Sequence, residues 1–244
     1  MLVNYDLLSS APSQRRVESP GPPSQVHGAI RSLKKEECAG VARPIECDDD
    51  SLLDAASSVL MREGPAAFTL AKAGAQAGVS AATFIKRFGS KECLFLRISE
   101  RWVASLDPLL EGAAASVATP LDRVRAVALC NYYDLDSSST ASNQLAALAI
   151  DLQSESMREL LHVGWEHVRR HLARHVADAV AGGQLAGAPP PAQLSRIIVA
   201  AMEGGCLTWS VHPEGSLVVR LADDLDAILS AWAPHLKAKK KEPR

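Results

Sequence analysis

The 244-residue chain is poor in aromatics, at 5%, and poor in the arrangements of residues that carry out chemistry. Its five cysteines are Cys38, Cys47, Cys93, Cys130 and Cys206. No two stand in CxxC spacing and the number is odd, which argues against a zinc ribbon or a disulfide scaffold and for a reduced, cytoplasmic setting. There is no glycine-rich phosphate loop, no HExxH and no spacing of Ser, His and Asp that suggests a nucleophilic triad, so an enzyme is not expected and no cofactor or metal is implied. No run reaches the roughly 18–20 apolar residues of a membrane span. The first ten residues carry Asp6 and lack a basic start followed by a long apolar run, so no signal peptide is expected. A formal net charge of −2 excludes a generally basic nucleic-acid coat; any DNA contact has to come from a local patch. No convincing strand and no internal repeat is present.

What is present is a helix-forming composition: 47% hydrophobic, with Ala and Leu dominant. Residues 1–47 differ from the rest. Pro12, Pro20, Pro22, Pro23 and Pro44 sit among Ser, Gly and mixed charge, which predicts a disordered N-terminal arm. Arg15, Arg16, Lys34, Lys35 and Arg43 offer cations for a DNA minor groove, but Glu18, Glu36, Glu37 and Glu46 nearly cancel them. From Asp48 onward the pattern is helical. Asp48–Asp50 supplies capping oxygens for a first helix, which Gly64-Pro65 stops. A second helix starts after Thr69, with Leu70, Ala73 and Ala77 inward, and a third covers about 81–87.

A long stripe then runs through Leu94, Phe95, Ile98, Trp102, Leu106 and Leu109, with a bend expected at Pro108. Thr119-Pro120 opens a further helix that carries Val124, Val127, Ala128 and Asn131. Residues 134–142 read as a polar connection. Helices follow over 145–152, 157–180, 191–211 and 217–232, and residues 237–244 form a basic tail.

The densest signal is 75–92. Gly78 closes one helix, Ser80 caps a short one and Ser90 caps the next. This is the layout of a helix-turn-helix, whose second helix enters a DNA major groove. With Phe84 and Phe88 turned to the core, Ala81, Ala82, Thr83, Ile85, Lys86 and Arg87 are left for the outer surface. Thr83 offers a donor, Lys86 and Arg87 offer phosphate neutralisation, and Arg87 also offers two-pronged reading of guanine. Thr69, Lys72, Ser80 and Lys91 complete the candidate DNA-binding set, near helix starts whose free N–H groups attract phosphate.

These residues resemble the DNA-binding head of the TetR family of transcriptional regulators. Ser51-Leu52-Leu53-Asp54-Ala55-Ala56 matches the family's first helix, Ala77-Gly78-Val79-Ser80 its turn, and Phe88-Gly89-Ser90-Lys91-Glu92 the end of its motif, with no gap between the landmarks. Glu203-Gly204 through Trp209 and His212-Pro213-Glu214-Gly215 resemble the family's penultimate helix and final turn. The chain departs from the family in having Ile85 where Tyr is usual and Arg87 where His is frequent. Ala73-Gly74 replaces the commoner Ile-Ala and is expected to loosen the second helix. Asp48–Asp50 stands where basic residues often approach the backbone.

The resemblance implies an all-α protein: an N-terminal three-helix helix-turn-helix DNA-binding head at 48–92, then a larger helical ligand-binding and dimerisation domain at 93–236. It implies a homodimer on a near-palindromic double-stranded operator, with reading helices about 34–36 Å apart, and an unknown small-molecule effector that releases the DNA. Trp102, Cys130, Asn131, Tyr132, His162 and Trp165 are the candidate ligand contacts. Ala201, Gly204, Gly205, Leu221, Leu225 and Ile228 are the candidate dimer residues.

His167, His171 and His175 recur at helical spacing, with Asp178 one turn on. The neighbouring Arg169, Arg170 and Arg174 repel a cation, so a solvated helix face is expected there instead of a metal site. An alternative reading from another class remains: a helical ligand-binding or interaction protein whose head no longer reads a specific DNA sequence. Ile85 and the acidic run before the first helix motivate it.

Overall fold

The computed structural model describes residues 48–233. The expected arm at 1–47 and the basic tail at 237–244 lie outside the described residues. Within them the chain forms nine α-helices and no strand: α1 (Asp49–Ala67), α2 (Leu70–Ala77), α3 (Ala81–Phe88), α4 (Lys91–Ala115), α5 (Pro120–Leu129), α6 (Ser138–Asp151), α7 (Glu155–Ala181), α8 (Pro191–Val211) and α9 (Leu217–Leu229). A single 3₁₀ turn, Tyr133–Leu135, separates α5 from α6.

Most helix starts are set by one polar side chain that satisfies an otherwise orphaned backbone N–H. Asp48 accepts from the Ser51 amide at 2.8 Å, and Thr69, Ser80, Ser90, Thr119, Ser137 and Ser216 do the same for their own helices. Gly64 breaks α1 as expected: its φ of 77° and ψ of 164° are not helical, and one further turn follows Pro65. Its bare Cα also makes room for Asn143, since a Cβ there would lie 2.5 Å from the Asn143 side-chain oxygen.

Several expected boundaries move. The polar stretch before residue 145 is not a connection, because α6 starts at Ser138. Ser137 caps it, and Ala141, Gln144 and Ala147 form a buried stripe that the surrounding serines conceal in the sequence. α5 ends at Leu129, so Asn131 falls in the turn beyond it. α9 ends at Leu229. Trp232 lies past it, and its carbonyl accepts from the Ala186 amide at 2.9 Å. α4 runs through Pro108 without leaving helical backbone.

Two cores form. The head core gathers Leu52, Ala56, Val59, Phe68 and Phe84, and reaches into α4 through Leu94 and Ile98. The division expected at residue 92 therefore falls inside a helix whose first turns belong to the head. The body core runs from Trp102 to Ala233, with α7 packed against α4, α5 and α8. At Gly164 the Trp102 ring occupies the place of a side chain: a Cβ would stand 2.1 Å from its edge. Head and body also meet where α6 lies along α1, with Asn143 Nδ2 donating to the Met61 carbonyl at 2.9 Å.

Candidate nucleic-acid interface and the pocket behind it

The helix-turn-helix is α2, a turn and α3. Gly78 closes α2 in the left-handed region (φ 69°), and the Val79 amide returns to the Gly74 carbonyl at 2.9 Å. Gly74 does more than loosen α2, contrary to the expectation from propensity. A Cβ there would sit 2.7 Å from the Val79 carbonyl oxygen, so glycine is what lets the turn fold tightly onto the helix. Ser80 caps α3 through the Thr83 amide, and the two hydroxyls lie 3.2 Å apart. Phe84 is fully buried and Phe88 packs beside it with ring centroids 5.8 Å apart, which fixes α3 on α1 and α2. Ala82, Ile85, Lys86 and Arg87 stay exposed and Ala81 and Thr83 half-buried, so the face named from sequence is the one the fold turns outward.

The cations are less available than their positions suggest. Arg87 is committed to Asp49 at the start of α1, both Nε and Nη2 lying 2.6 Å from one carboxylate oxygen. Lys91 reaches the Pro65 and Phe68 carbonyls at 3.0 and 3.3 Å and lies over the Phe68 and Phe95 rings, so it closes the broken end of α1 rather than facing solvent. Lys72 is held by Glu63 at 2.5 Å and by the Ala67 carbonyl. Of the head's cations, Lys86 is the one that makes no such contact among the described residues. Without DNA, Arg87 and Lys91 are thus engaged within the chain, by partners on and just after α1 that local sequence does not reveal.

The helix-turn-helix with its flanking helices is also what the comparisons recognise. Residues 52–98 match the model of the bacterial regulatory proteins, tetR family. Over these residues the chain carries the DNA-binding head of that family.

Similar solved structures include SmeT, the repressor of the Stenotrophomonas maltophilia multidrug efflux pump SmeDEF. It is 25% identical, with 77% of this chain and 91% of that one covered and a TM-score of 0.57. Reduced NemR from E. coli is 20% identical, with coverage of 75% and 97% and a TM-score of 0.61. A putative regulator from Saccharomonospora viridis in complex with choline is 16% identical, with coverage of 74% and 94% and a TM-score of 0.63. No curated protein matches the chain.

In the body, three of the six candidate ligand residues come together. Asn131, Tyr132 and Trp165 line a crevice between α5, α7 and α8, together with Val168, Ile198 and Glu203. The other three do not line it. Trp102 is core, packed on Gly164; the Cys130 thiol is turned to the Val127 carbonyl; His162 is exposed. Glu203, which the sequence reading does not single out as a ligand contact, also lines the crevice, and the Tyr132 hydroxyl donates to its carboxylate at 3.2 Å. Burial pushes the Glu203 carboxyl above its ordinary value, against the opposing pull of that hydrogen bond. Glu203 is the only acid on α8, which is the signal the sequence offers for it. Burial also drives the Cys130 and Cys206 thiols up to about 12 and about 11, so neither is a ready nucleophile.

The histidine series is not a solvated face. His171 and His175 are buried on the inner stripe of α7, because their spacing matches that of Val168, Leu172 and Val176. Asp107 of α4 accepts from His167 and His171 at 2.9 Å each and from Arg170 at 2.9 Å. Desolvation raises the Asp107 carboxyl, but these hydrogen bonds outweigh it and hold it below its usual range. The candidate dimer residues are corrected too. Leu221 and Leu225 are fully inside the protomer's own core, and Gly205 faces Leu221, where a Cβ would meet its methyl at 2.5 Å. Gly204 is open to solvent, Ala201 and Ile228 are half-buried, and Ile197, Leu207, Val211 and Val219 are the large apolar side chains exposed on α8 and α9. Among the described residues no helix is long and apolar enough to cross a membrane.

Proposed function

We propose that this TetR-family regulator is a cytoplasmic homodimeric repressor that leaves a near-palindromic operator when a small molecule enters the body. The carrying observation is the capped α3, which offers Ala82, Thr83, Ile85 and Lys86 along one outward face while Phe84 holds it to the head core. In this reading Ser80, Ala81 and Thr83 approach the bases first, since the N-terminal end of a recognition helix points into the groove. Lys86 neutralises a phosphate, the Thr69 end of α2 meets the backbone, and Ile85 touches a thymine methyl.

The exposed Ile197, Leu207, Val211 and Val219, with the open Gly204 among them, support α8 and α9 as the surface shared with a second copy. The repressor role is supported by SmeT's, and a small-molecule ligand by the choline complex of the Saccharomonospora viridis protein. Coupling runs through α4, which belongs to both cores, and through α6 on α1. An effector that binds an expanded body better than the resting one shifts the population away from the DNA-competent arrangement.

The test is a genomic-fragment pull-down with the purified protein at near-physiological salt, read by sequencing. Enrichment of a short palindrome is expected; uniform recovery overturns the proposal. The second reading, a head without sequence preference, is favoured by the engagement of Arg87, Lys72 and Lys91 within the chain. Uniform recovery is the outcome it expects.

A further inference from the structure

The charge of the body crevice is one-sided. Glu203 contributes a carboxylate. Asn131 is 6% exposed, and its side-chain oxygen has no hydrogen-bond partner. The Tyr132 hydroxyl proton is already given to Glu203. Among the described residues no Lys, Arg or His lines the crevice, so nothing there answers the carboxylate with positive charge. A buried acceptor without a donor is costly, and a buried carboxylate without a cation more so. The remaining wall is apolar, from Val168, Leu172 and Ile198, joined by the Trp165 indole, whose buried Nε1–H has no hydrogen-bond partner.

Each class of guest meets this inventory differently. An anion adds like charge to Glu203. A neutral apolar guest leaves the Asn131 oxygen and the carboxylate as they are. A guest with a protonated amine gives donors to both acceptors and a positive charge to the indole ring, and its hydrocarbon part matches the apolar wall.

We propose that the crevice between α5, α7 and α8 binds a small amphipathic organic cation, a protonated primary or secondary amine on an apolar chain, with its charge held by Glu203 and Asn131. The proposal rests on the reading of the body as the effector domain and adds the ligand's chemical class. The free volume is about 10 Å³, room for about one water, so the guest enters by parting α7 from α8. Because α7 also packs on α4, whose first turns are head core, that movement reaches α3's platform.

The experiment titrates hexylammonium, 1-hexanol and hexanoate into the full chain without DNA, followed by calorimetry and tryptophan fluorescence. Hexylammonium is expected to bind about tenfold or more tighter than either isostere, and Glu203→Gln to remove about tenfold of that affinity while leaving 1-hexanol unchanged. Equal affinities for the three probes, or hexylammonium binding unchanged in Glu203→Gln, overturn the cation site. Should Glu203→Gln fail to fold by circular dichroism, Asn131→Leu serves in its place, with a loss of about threefold or more expected for hexylammonium alone and an unchanged affinity overturning the site. A second arm adds hexylammonium to the protein on its recovered operator. Glu203-dependent binding without DNA release leaves the cation site standing and overturns the effector reading. DNA release that persists in Glu203→Gln overturns the cation site.

Discussion

The head and the body of this chain treat polar groups in opposite ways. In the head, acids and bases at the surface are paired with one another: Arg87 with Asp49, Lys72 with Glu63, Arg62 with Glu63. Its interior is apolar, and its helix ends are closed by side-chain caps. In the body, Glu203, Asn131, Asp151 and His175 are carried inward, and several remain unsatisfied. The Asn131 oxygen and both His175 ring nitrogens make no hydrogen bond, and burial raises the Asp151 and Glu203 carboxyls. A head that has to present one surface gains from satisfied, locally encoded contacts. Under the proposed function, a body that rearranges around a guest retains groups whose partners arrive later, which is where violations of the packing rules gather.

The comparison is broken most severely by removing the head's anchor. Phe84→Ala should cost about 3–5 kcal/mol and abolish operator binding while the helical signal of α4–α9 survives; thermal melts followed by circular dichroism, with a parallel DNA-binding assay, check it. Next is Gly164→Ala, which drives a methyl into the Trp102 ring. A loss of about 1–3 kcal/mol is expected, centred on the body, and a chemical-denaturation midpoint unchanged from wild type would show that α7 shifts freely.

Protonation sharpens the contrast. The Glu203 carboxyl is raised in the folded chain, so the neutral form fits the fold: its contribution is intact below the unfolded value near 4.5 and is lost as pH rises through the folded value. Glu203→Gln should therefore raise the melting temperature at pH 7 and change it little at pH 4. His175 runs the other way. Burial lowers its pKa from 6.5, with Arg174 adding to the effect. The fold then loses stability as pH falls below 6.5, and His175→Leu should flatten that loss in melts between pH 7 and 5.

The smallest effects lie on the head's surface. Asp49→Asn frees Arg87 and should tighten DNA binding by up to about fivefold, the worth of an exposed ion pair. Lys86→Ala should weaken binding and reduce the salt slope by about one. A slope that does not move in binding isotherms at several salt concentrations removes Lys86 from the phosphate contacts.

Particular residues show how far the sequence reaches. Asp48, Thr69, Gly78, Ser80 and Ser90 mark the head's helices correctly because a cap acts over three or four residues, within one turn of the chain. The outward face of α3 follows from Phe84 and Phe88 by the same local logic. α6 was hidden because its buried stripe is made of Ala and Gln among serines, which carry little hydrophobic signal. The contacts of Arg87 and Lys91 are not legible locally because their partners, Asp49 and the carbonyls of Pro65 and Phe68, lie 38, 26 and 23 residues away.

Sequence alone therefore determined the all-helical class, the order and capping of the head helices, and the identity of the outward residues of α3. Those depend on backbone hydrogen bonds closed within a single turn and on the 3.6-residue period. Tertiary structure alone decided which cations stay free, that Leu221, Leu225 and Gly205 face inward, that His171 and His175 are core, and that Glu203, Asn131 and Trp165 share one crevice. Each of those outcomes is set by which helix lies opposite, and two helices far apart in the chain meet only once the whole fold has packed.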